Sequence, residues 1–257
     1  MPAPLDIPIL KLFSEYVHLQ VSMICELTGR SDTRIRKRLV ALARLGFLRK
    51  ISLPDDQWGE PVWFALQPAW DFALEEGWVK EHVEASDEKT NKNLRHDLRI
   101  TQLHLTLNRA YGSNLRWSQH HLYRRFGTAE NDRVNPDAFF SLSIKGSFFT
   151  FFVEVENSGE NKYKDGKSSR IRKMEAYAAY ADGPFQEQYH FPNFRVLTLL
   201  PSSELVLNFC DKMKKLGAPL DGRRYWATSY DDLSRITDKV FHTPRDSGDV
   251  AYSFADC

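Results

Sequence analysis

Two apolar runs, residues 138–144 and 148–155, flank Lys145-Gly146-Ser147, and carboxylates stand at the outer ends of both. Aromatic and β-branched residues in short runs joined by a glycine turn predict a β-hairpin. Asp137 precedes the first run directly after Pro136, while Glu154 and Glu156 close the second. Side chains alternate along a strand, so Glu154 and Glu156 project from the same face. A hairpin of this length brings Glu154 back beside Asp137, 17 positions earlier in the chain. Carboxylates gathered in a core are costly unless a cation neutralises them, which makes Asp137, Glu154 and Glu156 candidate ligands for Mg²⁺ or Mn²⁺. Such an ion polarises a phosphate and lowers the pKa of bound water. The plainer alternative is a turn acid at 137 and two solvated acids on an edge strand. The basic residues that follow, Lys162, Lys164, Lys167, Arg170, Arg172 and Lys173, favour phosphate chemistry, which needs both signs of charge.

Around the hairpin, the pattern predicts helices over 94–110, 170–181 and 203–215, with strands near Trp117, over 194–200 and over 225–228. Strands mixed with helices give an α/β (α+β) domain with a mixed central sheet. Lys173, Tyr177 and Tyr180 share one helical face at i, i+4 and i+7. Lys173 is a candidate for stabilising phosphate charge. Tyr177 and Tyr180 are candidate nucleophiles, although a tyrosine hydrogen-bonded in the core is the commoner fate. His96 opens the first of these helices and either reaches the acids or caps and packs. His120-His121 lacks the His-x-His spacing that points two imidazoles at one metal.

The net charge of +1 averages over opposed blocks: 30–50 carries +7 and 51–88 carries −9. A basic surface followed by an acidic connector is the footprint of a polyanion binder. Residues 1–67 read as three short helices and a hairpin. The third helix has Ile35, Leu39 and Leu42 on one face and Arg34, Lys37, Arg38, Ala41 and Arg44 on another. This order resembles a winged helix-turn-helix domain, whose cationic helix enters the major groove of DNA. The boundaries expected are 1–67 for this domain, 68–93 for an acidic bridge and 94–257 for the α/β domain. No apolar run approaches the ~18 residues of a membrane span. The start lacks a signal-peptide pattern, and Cys25, Cys210 and Cys257 have no paired spacing, so a cytoplasmic location is expected.

The Pro136-Asp137 and Glu154-Val155-Glu156 segments resemble the PD-(D/E)xK nuclease superfamily, whose core runs helix, acid-bearing hairpin, helix and further strands. The resemblance implies that Asp137 and Glu154 bind the metal, while Glu156 stands where a lysine is usual. It also leaves room for Lys173 to supply that cation from the following helix. With Arg95-His96-Asp97-Leu98, Trp117 and Lys173-Met174-Glu175-Ala176-Tyr177, nearly the whole chain resembles the replication-relaxation family and the related MobC-type plasmid mobilisation relaxases. That implies a metal-dependent nickase acting on double-stranded DNA at an origin of transfer or replication. An accessory mobilisation protein and a second copy of the chain are the other partners expected. A non-enzymatic DNA-binding regulator with an inactive nuclease-like domain, or a restriction or transposon-end endonuclease, remain the rival functions.

Overall fold

The computed structural model describes residues 2–52, 59–85, 91–118, 134–157, 163–164, 167–181, 185, 193–220, 222–246 and 250–257. It has two compact units, Met1–Leu105 and Thr106–Cys257. The division falls inside a long helix rather than in the acidic stretch before it. Leu94, Leu98 and Leu105 of that helix join the core of the first unit.

The first unit runs α1 (Ile7–Glu15), β1 (His18–Gln20), α2 (Val21–Thr28), α3 (Asp32–Arg44), β2 (Leu48–Ile51), β3 (Val62–Ala65) and α4 (Gln67–Glu75), then the start of α5 (Asn91–Tyr111). Gly29 ends α2 with φ +65°, a left-handed turn that a residue without Cβ adopts without strain. Ile35, Leu39 and Leu42 of α3 are fully buried with Ile9, Phe13 and Ile24. The strands form an antiparallel sheet in the order β1-β3-β2. The stretch after residue 67, expected to be a bridge, opens with α4, whose Ala69, Trp70 and Ala73 are buried in the same core.

The second unit is a mixed α+β layer structure. Among the described residues, its sheet has seven strands in the order β12-β11-β10-β9-β6-β5-β4. These are β4 (Leu115–Ser118), β5 (Ala138–Ile144), β6 (Ser147–Val155), β9 (Arg195–Leu200), β10 (Tyr225–Ser229), β11 (Phe241–His242) and β12 (Ala251–Tyr252). A separate pair, β7 (Tyr163–Lys164) and β8 (Lys167–Ser168), precedes α6 (Ser169–Ala181), and α7 (Ser203–Leu216) follows β9. β4, β5 and β6 form an antiparallel meander, whereas β6, β9 and β10 are mutually parallel, joined through α6 and α7. Parallel neighbours require such crossovers.

Alternation in β6 assigns the two faces of the sheet. Phe152 packs with Ile171, Met174 and Tyr177 of α6 and Val206 and Phe209 of α7. Phe151 points the other way, onto Phe140 and Phe254. Glu154 lies two residues beyond Phe152 and so enters the layer beneath α6.

Candidate functional site

The predicted hairpin forms with Ala138 opposite Val153. That register carries Asp137 to the end of β6: its backbone N–H donates to the Val153 carbonyl at 2.9 Å, and its Oδ2 accepts from the Val155 N–H at 2.7 Å. Pro136 cannot donate a backbone hydrogen bond, so pairing with β6 begins at Asp137.

Glu154 is 1% exposed, yet its two carboxylate oxygens are both engaged by α6. Lys173 Nζ lies 2.5 Å from Oε2, and the Tyr177 hydroxyl donates to Oε1 at 2.7 Å. The spacing i and i+4 on α6 delivers the two groups together. Lys173 remains 45% exposed along its side chain, although its ammonium is turned to the buried carboxylate.

Burial pushes the Glu154 carboxyl up to about 7, and the nearby Asp137 charge adds to the rise against the pull of Lys173. Burial works against the Lys173 charge as well, but Glu154 and Asp137 outweigh it and hold the ammonium above its ordinary value. Tyr177 is fully buried, and burial with the Glu154 charge raises its phenol far above the usual range. It is a protonated donor under ordinary conditions.

Glu156 departs from the expected three-acid cluster. Its Oε2 lies 3.3 Å from Arg170 Nε at the start of α6, and its backbone carbonyl accepts from the Tyr230 hydroxyl. Among the described residues, no group of three His, Cys, Asp or Glu side chains stands close enough to hold one ion. The expected three-carboxylate metal set of Asp137, Glu154 and Glu156 is therefore not assembled, because Glu156 turns to a cation of its own. Arg170, expected on the DNA surface, is 5% exposed.

The donor chemistry of Asp137 and Glu154 nevertheless fits Mg²⁺ or Mn²⁺. They are hard oxygen donors, and Mg²⁺ is typically held by one or two carboxylates with the remaining positions left to water and phosphate. The repulsion that raises Glu154 is what a cation would relieve.

Other expected residues lie elsewhere. Tyr180 is 0% exposed and packs on Phe185 and Phe194 in the core. His96 belongs to the first unit, where its Nδ1 is 3.5 Å from Asp97 Oδ1, and Asp97 Oδ2 is 2.7 Å from His18 Nδ1. Lys162 lies outside the described residues. Lys164 and Lys167 face each other in the β7–β8 pairing, and their side chains also lie outside the description. In α3, Arg34, Lys37 and Arg44 are exposed. Arg38 is not part of that open face: Nε and a terminal nitrogen each bond Asp6, a 0%-exposed carboxylate, at 2.6 Å. Tyr230 was missed in the sequence, since its role depends on β10 lying one strand away from β6.

The raised Glu154 has a consequence for stability. A carboxyl whose folded value exceeds its unfolded value of 4.5 contributes stability that is complete below 4.5 and is lost as pH rises through about 7. Glu154→Gln removes that loss while keeping an acceptor for Tyr177. The variant is expected to gain on the parent as pH rises from 5 to 8, because only the parent's carboxyl ionises, while the lost Lys173 partner sets a pH-independent offset. Thermal denaturation across pH 5–8 measures this, and a pH-independent difference would contradict it.

A family model described as replication-relaxation matches residues 10–194. The chain belongs to the replication-relaxation family, a membership that supports a DNA-processing role. No curated protein matches it. Among solved structures it is similar to the restriction endonuclease FokI, at 12% identity and TM-score 0.36, over 90% of this chain and 42% of that one. It is also similar to FokI bound to DNA, at 13% identity and TM-score 0.32, over 90% and 43%. The chain thus spans less than half the length of either. No helix among the described residues is long and apolar enough to cross a membrane.

Proposed function

We propose that the chain docks on double-stranded DNA at an origin of transfer or replication through α3 and cleaves one strand in a metal-dependent reaction. The observation that carries this reading is the convergence of Asp137, Glu154 and Lys173 at one end of β6. Two repelling carboxylates beside a lysine with a half-exposed side chain combine a cation-holding pair with a phosphate-binding donor.

Asp137 and Glu154 would hold the ion, which when bound would supply Lewis acidity toward a phosphate oxygen and an acidified water. Lys173 Nζ donates to a non-bridging phosphate oxygen as negative charge builds there. Tyr177 fixes the Glu154 carboxylate through its hydroxyl, and the Glu156–Arg170 pair ties the start of α6 to the end of β6. The burial of Tyr177 and Tyr180 favours water over tyrosine as the attacking group. The order α5, β4-β5-β6 meander, α6 and a β9 parallel to β6 supports a PD-(D/E)xK-like core. Helix, strand, two helices and an antiparallel sheet support a winged helix in the first unit.

One observation favours the rival regulator reading: both Glu154 oxygens are already occupied by Lys173 and Tyr177, as in a purely structural ion pair. Calorimetric titration of Mn²⁺ into the full chain separates the two. The cleavage reading expects saturable binding that Asp137→Asn weakens at least about tenfold. Absence of any Mn²⁺ binding by the parent chain, at pH values above 7 where Glu154 is ionised, favours the structural pair.

A further inference from the structure

With Arg170 spent on Glu156, a different group of cations in the second unit calls for an explanation. A cavity of about 380 Å³ opens beside the first residues of β9 and β10, lined by Asn193, Phe194, Arg195, Arg223 and Arg224, with Gly222 at its wall. The parallel register places Glu154 against Thr198, three residues farther along β9 than Arg195. At ~3.3 Å per residue the cavity is about 10 Å from the carboxylate site along the strand, and it shares no residue with that site.

These arginines differ from others in the chain. Arg36, Arg38, Arg170 and Arg235 each pair with a carboxylate. Among the described residues, no carboxylate stands in an ion pair with Arg195, Arg223 or Arg224. Each instead rests on an aromatic ring: Arg195 at 4.9 Å from the centroid of Phe149, Arg223 at 5.5 Å from that of Tyr252, and Arg224 at 5.5 Å from that of Phe194. The Tyr252 hydroxyl beneath Arg223 donates to Asp246 Oδ2 at 2.5 Å. Arg224 Nε is buried with no hydrogen-bond partner.

Stacking holds a guanidinium in place through its face and leaves N–H groups along its edge for a ligand. All three arginines line one cavity without a carboxylate in direct ion pairing, so an anion seated there gains from their charge. The planar fork of donors matches the oxygens of a phosphate, and the cavity is large enough for one phosphate with its sugar. We propose that this cavity binds the phosphate group of a nucleotide unit. The source is either an internal phosphodiester of a DNA strand or a terminal or free phosphate monoester. The inference stands apart from the cleavage reading, since a chain that cuts nothing would still bind phosphate here.

The test uses the full chain carrying Arg34→Glu and Lys37→Glu, so that docking through α3 does not mask a second site. Fluorescence anisotropy follows a short single-stranded oligonucleotide, made with a 5′-phosphate and with a 5′-hydroxyl, in competition with inorganic phosphate and a nucleoside monophosphate. Arg223→Gln alters an exposed residue, and Arg224→Lys keeps the charge while losing the fork; circular dichroism checks that both fold. Each substitution is expected to weaken oligonucleotide binding about tenfold or more. A preference for the 5′-phosphate, with competition by the monophosphate, assigns a terminal phosphate. Equal binding of both oligonucleotides without such competition assigns the internal backbone. Folded variants that bind every probe as tightly as their parent overturn the proposal.

Discussion

Asp137→Ala and Glu154→Ala are expected to lose metal-dependent strand cleavage, by at least about a hundredfold each, while keeping near-parental affinity for origin DNA. The asymmetry follows from where the groups sit. Asp137 and Glu154 belong to the sheet of the second unit, whereas the exposed cations of α3 belong to the first. Removing Glu154 also leaves Tyr177 without its acceptor in a fully buried position, so thermal melting must accompany the activity measurement. Glu154→Gln provides the cleaner comparison, because the amide still accepts from Tyr177 but cannot serve as an anionic ligand. Parental cleavage rates in Asp137→Ala and Glu154→Gln would remove these carboxylates from the chemistry.

Charge reversal at Arg34 and Lys37 is expected to weaken binding to double-stranded DNA and to flatten its salt dependence. Each lost phosphate contact removes about 0.9 from the slope of log affinity against log salt, so the double variant should lose nearly 2. Both residues are exposed on α3, opposite the buried Ile35, Leu39 and Leu42, so the fold should tolerate the change. Arg38 makes a useful contrast. Its bidentate bond to buried Asp6 means that Arg38→Ala should lower the melting temperature, where Arg34→Ala should not. Filter binding or anisotropy over a range of salt concentrations measures the slope. An unchanged slope in the folded double variant would take α3 away from the DNA.

The contrast between Arg34 and Arg38 also marks how far the sequence could be read. Periodicity separates the apolar and basic faces of α3, because helical spacing is a local property. It does not reveal that Arg38 is drawn to Asp6, 32 positions away. β1 was equally hidden: three residues are too short for alternation to register, and its pairing with β3 spans more than forty positions. The hairpin of β5 and β6 was legible because the turn, the apolar runs and the terminal acids lie in one continuous stretch. The same stretch indicated that Asp137 and Glu154 would meet, and helical spacing placed Lys173 and Tyr177 on one face of α6. The partner of Glu156 was not legible, since strand alternation gives the face of a side chain but not which cation a crossing helix lays over it. That pairing matters for engineering. Glu156→Lys, which restores the residue usual in the superfamily the hairpin resembles, would set a second cation against Arg170.

If Asp137 and Glu154 form a cation-dependent cleavage site, the full chain converts supercoiled plasmid carrying the cognate origin to the open circle. Mg²⁺ and Mn²⁺ are supplied separately, with a chelator control. Single-strand nicking is expected with a divalent ion, none with chelator, and none from Asp137→Ala at matched DNA occupancy. Nicking that persists in chelator, or intact plasmid under every divalent ion with DNA demonstrably bound, would contradict it.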